Sequence, residues 1–172
     1  VRVKIIFYPI IRRKYFNLKG IFEFLIQYRK AVKRLEQFAL DENVSMIHSN
    51  TLAVIEGVSV KKKTGVPLLV HLHEMIDHPR FVAKILYKIA INGADKVAVV
   101  SNAVKRHIEG LISREVKNLV VIHNGLEPDL ESSLEKKKRK RELGFDEDKK
   151  LVAIVGRVNA IKGQDHFVSM MK

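Results

Sequence analysis

The sequence lacks cysteine altogether, and it has no run of about 18 uncharged apolar residues. Without cysteine there are no disulfides and no thiolate metal ligands, and a cytosolic location is permitted. Without a long apolar run we expect no membrane-spanning helix. Arg2 and Lys4 are not followed by an apolar core and a small-residue cleavage site, so we expect no signal peptide.

Acidic residues are in the minority, with 19 Asp and Glu against 32 Lys and Arg, which gives a formal net charge of +13. Such an excess favours an anionic partner, although a highly charged soluble surface gives the same composition. The length of 172 residues fits one domain, or one domain and a piece of another. The first residue is Val, and the final "VSMMK" breaks off inside a helical pattern, which indicates an excerpt of a longer protein.

Apolar runs alternate with segments of helical spacing along the chain. Because the predicted strands are apolar throughout, they fit a parallel sheet that is buried on both faces. Repeated strand–helix units with short loops predict an α/β fold with a Rossmann-like, doubly wound, mainly parallel sheet. The predicted strands are 3–10, 44–49, 68–73, 96–101, 118–125 and 150–157, and the predicted helices are 21–41, 51–63, 80–91, 102–110 and 132–143.

Polar residues cluster where the predicted strands end. Ligands of such sheets bind beyond the carboxyl ends of the strands, so this clustering predicts a site along that edge. The residues concerned are His48, Ser49 and Asn50; His71, His73 and Glu74; Ser101 and Asn102; His123, Asn124 and Gly125; and Gly156 and Arg157.

The stretch "HLHE" places His71 and His73 on the same side of a strand, with Glu74 at its end. Two histidines and a carboxylate can bind zinc, but no further ligand follows at a recognised spacing, so we expect no metal site. We interpret His71 as a buried structural histidine. His73, at the strand end, is suited to orient a hydroxyl or share a proton, and Asp77 follows in the next loop.

A second candidate site lies in "LVAIVGRVNAIKGQDHFV", residues 151–168, where Gly156 and Arg157 end an apolar run and Lys162 precedes a predicted helix. A guanidinium and an ammonium group beside a helix start suit a diphosphate. The alternative is an ordinary solvated basic loop.

The basic run "KKKRKR" (136–141) could bind nucleic acid or anionic lipid. No aromatic residue interleaves with it, and such runs are often solvated helix faces, which disfavours nucleic acid.

Taken in order, "IHSN", "HLHE", "VVSNAV", "VIHNGLEP" and "RELGFDEDKKLVAIVGRVNAIKGQDHFV" resemble the family 4 glycosyltransferases of GT-B architecture, from about residue 44 to the end. The resemblance implies two Rossmann-like domains facing each other across a cleft, with a nucleotide-sugar donor mainly on the C-terminal one and an acceptor on the N-terminal one. It implies a retaining reaction without a metal or another cofactor.

The resemblance also implies roles for single residues. Gly156, Arg157 and Lys162 match the loop that contacts the donor diphosphate, and His73 matches a catalytic histidine near the transferred sugar. Glu74, Asp77 and Asn50 are candidates for the acceptor or sugar side.

Residues 1–20 do not supply the glycine-rich turn with which the family opens, and its later pair of glutamates belongs beyond residue 172. We therefore expect 1–130 to be the latter part of the N-terminal domain, 131–150 a connecting helix and turn, and 151–172 the first strand and helix of a truncated C-terminal domain. We expect this fragment to be inactive alone. We also expect 151–168 to pack against the sheet or to exchange with a second chain, as in a dimer.

The resemblance further implies a glycan or lipid-linked acceptor and a cytoplasmic location, where the basic surface can hold the enzyme at the inner face of an anionic membrane. The alternative function is a basic Rossmann-like binding module for nucleic acid or another polyanion.

Overall fold

A computed structural model describes residues 4–12, 15, 17–125, 133–159 and 162–171. The chain divides into two compact units, Val1–Gly125 and Leu126–Lys172. The first unit contains the helices α1 (Leu18–Asp41), α2 (Glu56–Thr64), α3 (Arg80–Gly93) and α4 (Asn102–Ile112), and the strands β1 (Ile47–Ser49), β2 (Leu68–Leu72), β3 (Lys96–Val99) and β4 (Leu119–Val121). The second contains the helices α5 (Ser133–Glu142) and α6 (Gln164–Met170).

The four strands form one parallel sheet in the order β1-β2-β3-β4. Each pair of neighbouring strands is joined by a helix, as parallel pairing requires. This arrangement confirms the predicted α/β class with a Rossmann-like parallel sheet.

The helix boundaries have local causes, and α1 begins at Leu18, three residues before its predicted start at 21. The side chain of Asn17 accepts the Gly20 N–H at 2.8 Å and begins α1, and Ser101 does the same for α4 by accepting the Val104 N–H at 3.3 Å. Helix α2 ends at Gly65, whose φ of +74° is the left-handed conformation that favours glycine, and its N–H bonds to the Lys61 carbonyl.

The burial of side chains along β2 follows the alternation of a β-strand. In β2 the side chains of Leu68, Val70 and Leu72 are buried, whereas those between them are half-buried. In β3 three consecutive side chains, Val97, Ala98 and Val99, are buried, so both faces of this strand are covered. Among the described residues, the largest fully buried side chain is that of Tyr87 of α3, which belongs to the same core.

Two predicted strands are wrong. Residues 4–10 form no strand, and Ile5 and Phe7 are exposed, because no described strand pairs with this segment. Residues 151–157 form no strand either, and the side chain of Val155 is 96% exposed. The described part of the second unit offers no neighbouring strand, and an apolar run without such a partner leaves its backbone groups unpaired.

The predicted helix 51–63 begins five residues late, at Glu56. The Thr51 hydroxyl accepts the Ala53 N–H at 3.2 Å and holds this stretch in a turn.

We predict opposite effects for two glycine-to-alanine substitutions in the first unit. At Gly93 an added Cβ lies 2.8 Å from Val58 Cγ2 and closer still to Cγ1, so Gly93→Ala should lower the free energy of unfolding by about 1–3 kcal/mol. At Gly110, inside α4, nothing lies within 4 Å, so Gly110→Ala should raise it by about 0.5–1 kcal/mol. Urea unfolding of the two variants checks this, and equal shifts would contradict the packing described.

Candidate functional site

The carboxyl ends of β1 and β2 bring two predicted site residues together. In the sheet register Ser49 lies opposite Val70, which sets the segment after β1 beside the end of β2. His73 Nε2 lies 2.8 Å from Asn50 Oδ1. Because an amide oxygen only accepts, Nε2 is the donor in this hydrogen bond, and in the neutral ring Nδ1 is then an acceptor. Residues that follow neighbouring strands were expected to lie close together, and Asn50 and His73 do so.

Three histidines form a row on one face of the sheet. The ring centroids of His71 and His73 are 4.1 Å apart, and those of His48 and His71 are 5.8 Å apart. His71 and His73 therefore share a side, as the alternation predicts. His71 Nε2 is buried and has no hydrogen-bond partner among the described residues. Burial lowers the pKa of His71, and the neighbouring His73 and His48 lower it further, so this ring favours the neutral form.

A cavity of about 250 Å³ opens beside this pair of strand ends. Its walls combine the apolar Leu52, Leu72 and Ile76 with a polar rim. Asn50, His73 and Glu74 contribute to that rim, so three of the predicted site residues line one cavity. Apolar walls with a few convergent polar groups are typical of small-molecule sites.

Two residues outside the predicted site, Tyr87 and His107, hold the loop after β2. The Tyr87 hydroxyl accepts the Ile76 N–H at 2.9 Å, and His107 Nε2 lies 3.4 Å from Asp77 Oδ1. Tyr87 is fully buried, and burial raises the pKa of its hydroxyl. Asp77, proposed to contact substrate, therefore contacts α4 in this structure. Sequence spacing gives no signal for either residue, because both lie on later helices.

The second unit carries the predicted diphosphate loop. Gly156, Arg157 and Lys162 are all exposed in it. Gln164 Nε2 donates to the Arg157 carbonyl at 3.0 Å, and the Lys162 N–H donates to Asn159 Oδ1 at 3.0 Å. Within the described residues neither Arg157 nor Lys162 makes a salt bridge with a carboxylate. The charged groups of Arg157 and Lys162 therefore take no part in the hydrogen bonds that hold this loop.

The basic run 136–141 is largely occupied by its own unit. Lys137 pairs with Asp148 at 2.9 Å, and Arg141 lies 3.6 Å from Glu147. Lys140 Nζ donates to the carbonyls of Glu147 and Lys149, at 3.1 and 2.7 Å. These contacts join α5 to the turn that follows it. The basic run therefore has a structural role in this unit.

A buried carboxyl group lies next to β1. Glu56 is 1% exposed, and neither carboxylate oxygen has a side-chain partner among the described residues; the backbone of Glu56 and Ile55 only partly opposes the effect of burial on its pKa. It lines a cavity of about 340 Å³ whose other walls include Tyr8, Phe38 and Val60. Burial raises the pKa of Glu56, because the charged form loses its hydration.

This carboxyl group gives a pH-dependent prediction. A carboxyl with a raised folded pKa costs stability as the pH rises from its unfolded value towards the folded one. Glu56→Gln should therefore match the parent near pH 4 and be more stable at pH 7, by on the order of 1 kcal/mol. Urea unfolding at both pH values measures this. A variant less stable than the parent at pH 7 would show that the carboxylate has a partner.

Among the described residues no group of three or more histidines and acidic residues is placed to hold a metal ion. None of the described helices is both long and apolar enough to cross a membrane.

A parallel α/β sheet with polar residues at its carboxyl edge defines the class of Rossmann-like proteins. The sequence profile of Glycosyltransferase Family 4 matches residues 2–130, and the chain belongs to that family. No curated protein sequence matches it closely.

Among solved structures, the chain is similar to the Anabaena protein Alr3699/HepE in complex with UDP, with 22% identity and a TM-score of 0.58. The match covers 67% of this chain and 32% of HepE. HepE in complex with UDP and glucose matches with a TM-score of 0.57 over the same shares, and HepE with UDP-glucose matches with 0.57 over 66% and 32%. The chain therefore spans about a third of HepE, and at this identity the likeness concerns the fold.

Proposed function

We propose that this chain is part of a retaining, hexosyltransferase-like glycosyltransferase that moves a sugar from a nucleotide-sugar donor to a glycan or lipid-linked acceptor. Membership of the family supports the transfer reaction. The solved HepE structures contain UDP, glucose or UDP-glucose, which supports a nucleotide sugar as the donor. We propose that the reaction uses no metal and no cofactor besides the donor.

The observation that carries this proposal is the His73–Asn50 hydrogen bond at the mouth of the 250 Å³ cavity. With its Nε2 proton held by Asn50, the imidazole has a fixed orientation, and Nδ1 is available to a substrate hydroxyl. Glu74 on the same rim, and Asp77 in the following loop, are proposed to contact the acceptor or the transferred sugar. His73 is the proposed catalytic residue.

The donor diphosphate is assigned to Gly156, Arg157 and Lys162. The support is that both cations are exposed and that the loop backbone is tied by Asn159 and Gln164. A fixed guanidinium and an ammonium group stabilise the charge that develops on a departing nucleotide.

We propose the domain division 1–130, 131–150 and 151–172, with 151–168 packing on the sheet or exchanging with a second chain. We also propose that the fragment alone is inactive.

We propose a cytoplasmic enzyme that works at the inner face of an anionic membrane.

The alternative function is a module that binds nucleic acid or another polyanion, and the net charge of +13 favours it. The intramolecular contacts of Lys137, Lys140 and Arg141 weigh against it, because they occupy much of the densest basic run. Binding that tracks total charge and falls steeply with salt would favour this alternative.

His73→Gln tests the proposed catalytic role in the protein expressed from its complete reading frame. Glutamine can still donate to Asn50 but supplies no ring nitrogen, so nucleotide release at saturating donor and acceptor should fall by about 10²–10⁴-fold. The dissociation constant for the donor should stay within about twofold, since His73 is not assigned to the diphosphate. Lys117→Gln, at an exposed position before β4 and so at the opposite edge of the sheet, is the control and should retain activity. Full activity of the His73 variant would remove this residue from the mechanism.

A further inference from the structure

Helix α1 extends past the carboxyl edge of the sheet. Tyr28 Oη lies 2.6 Å from Ser59 Oγ, and Glu36 pairs with Lys63, so α1 and α2 run side by side in the same direction. Helix α2 begins at Glu56, three residues before Ser59, whereas α1 begins at Leu18, ten residues before Tyr28. At 1.5 Å per residue, the first turns of α1 project roughly 10 Å beyond the start of α2.

The projecting part of α1 exposes a stripe of large apolar side chains. Leu18 is 89% exposed, Phe22 66%, Leu25 49% and Ile26 41%. They are spaced at i, i+4, i+7 and i+8, so they lie on one face of the helix. Gly20 and Ala31, on the opposite face, pack inward, and the buried Val32 lies at the border between the two faces. We call Leu18, Phe22, Leu25 and Ile26 the apolar stripe; it is a contiguous exposed patch of the kind that marks an interaction surface.

The residues that flank and continue this stripe are basic. Arg29 and Lys33 follow it on the same face, and Lys19, Lys30 and Arg34 lie beside it, all exposed. Glu23 is the one acidic residue of the first three turns. An apolar face bordered by Lys and Arg is typical of helices that lie in the interface of a membrane.

We propose that the first turns of α1 dock on an anionic lipid bilayer, with the apolar stripe in the interface and Arg29 and Lys33 on lipid phosphates. A second copy of this chain fits less well, because it would bring two strongly basic surfaces together. Helix α2 is the first helix after β1 and starts at Glu56, beyond the carboxyl end of that strand, so the stripe lies at the same edge as Asn50 and His73. This last point rests on the proposed function: docking there would hold the proposed catalytic edge at the surface where a lipid-linked acceptor presents its head group.

A tryptophan probe tests insertion directly, because the chain has no tryptophan of its own. We would add vesicles of phosphatidylcholine, or of phosphatidylcholine and phosphatidylglycerol in equal parts, to the 172-residue chain carrying Phe22→Trp. The emission should shift to the blue with the anionic vesicles. Met46→Trp, at a 55% exposed position before β1 and so at the other end of the strand, is the matched control and should not shift. Absence of a shift at position 22 would overturn the proposal.

Charge variants distinguish binding by a local surface on α1 from binding that depends on the total charge of the chain. Arg29→Gln/Lys33→Gln should weaken partition into anionic vesicles by roughly thirtyfold at physiological salt. Lys88→Gln/Lys117→Gln removes the same charge from exposed positions outside α1 and should change it by less than about threefold. Equal losses in both pairs would contradict a local docking surface. Self-association abolished by Phe22→Asp, without vesicle binding, would assign the stripe to a second copy instead.

None of these readouts depends on sugar transfer. If the chain binds vesicles but the protein expressed from its complete reading frame releases no nucleotide, the docking surface stands and the proposed function is refuted. If that protein releases nucleotide but the chain does not bind vesicles, the proposed function stands and the docking surface is refuted.

Discussion

Replacing Arg157 and Lys162 together by alanine is expected to lower nucleotide release by at least about a thousandfold in the protein expressed from its complete reading frame. Removing a single donor that stabilises developing charge typically costs about 10²–10³ in kcat, and the two residues are assigned to one diphosphate. Both side chains are exposed, and the hydrogen bonds that hold the loop come from Asn159 and Gln164, so the fold should be unaffected. Steady-state assay of nucleotide release, with circular dichroism as the folding check, measures this effect.

The matched control for that variant is Lys149→Ala/Lys150→Ala. It removes the same charge from exposed positions of the same unit. Under the proposed function it should retain activity within about threefold, because surface charges away from a site contribute little. If both pairs lose activity equally, the effect is one of net charge. If neither loses activity, Arg157 and Lys162 do not contact the donor.

The largest stability effect is expected at Tyr87. Its ring is fully buried in the core among the strands and α3, and its hydroxyl accepts the Ile76 N–H. Tyr87→Ala leaves a cavity and an unpaired backbone donor, and should lower the free energy of unfolding by about 3–5 kcal/mol. Tyr87→Phe keeps the packing and should cost about 1–3 kcal/mol, the penalty for the unpaired Ile76 N–H.

Urea unfolding of the two Tyr87 variants separates packing from hydrogen bonding. Domains of this size are stable by about 5–15 kcal/mol, so the alanine variant should lose a large share of that stability. Hydrogen exchange of the Ile76 amide should speed up in the phenylalanine variant. An unchanged exchange rate would show that the hydroxyl does not hold the loop after β2.

The sequence predicted the sheet because each of its strands is a short apolar run with a helix of regular spacing on either side. The same signal misled at 4–10 and 151–157, since an apolar run becomes a strand when a neighbouring strand supplies hydrogen bonds. Composition cannot show whether that neighbour is present. Helix ends were predictable where a local residue sets them, as Ser101 and Gly65 do.

The candidate site, like the fold, was predictable from the sequence only in part. His73 and Asn50 were predictable because residues that follow parallel strands meet at one edge, and their hydrogen bond is an outcome of the β1–β2 register. Tyr87, His107 and Glu56 were not predictable. Their roles depend on which helix faces cover the loop and strand ends, and a single polar residue on an amphipathic helix carries no such information.

The most direct test of the central claim is an assay of the protein expressed from its complete reading frame, against UDP-, GDP- and ADP-sugars, with release of the nucleotide as the readout. We expect release from at least one donor, abolished by Arg157→Ala/Lys162→Ala and strongly reduced by His73→Gln. No release from any donor, together with unchanged nucleotide binding by the double variant, would contradict it and favour a module that binds polyanions.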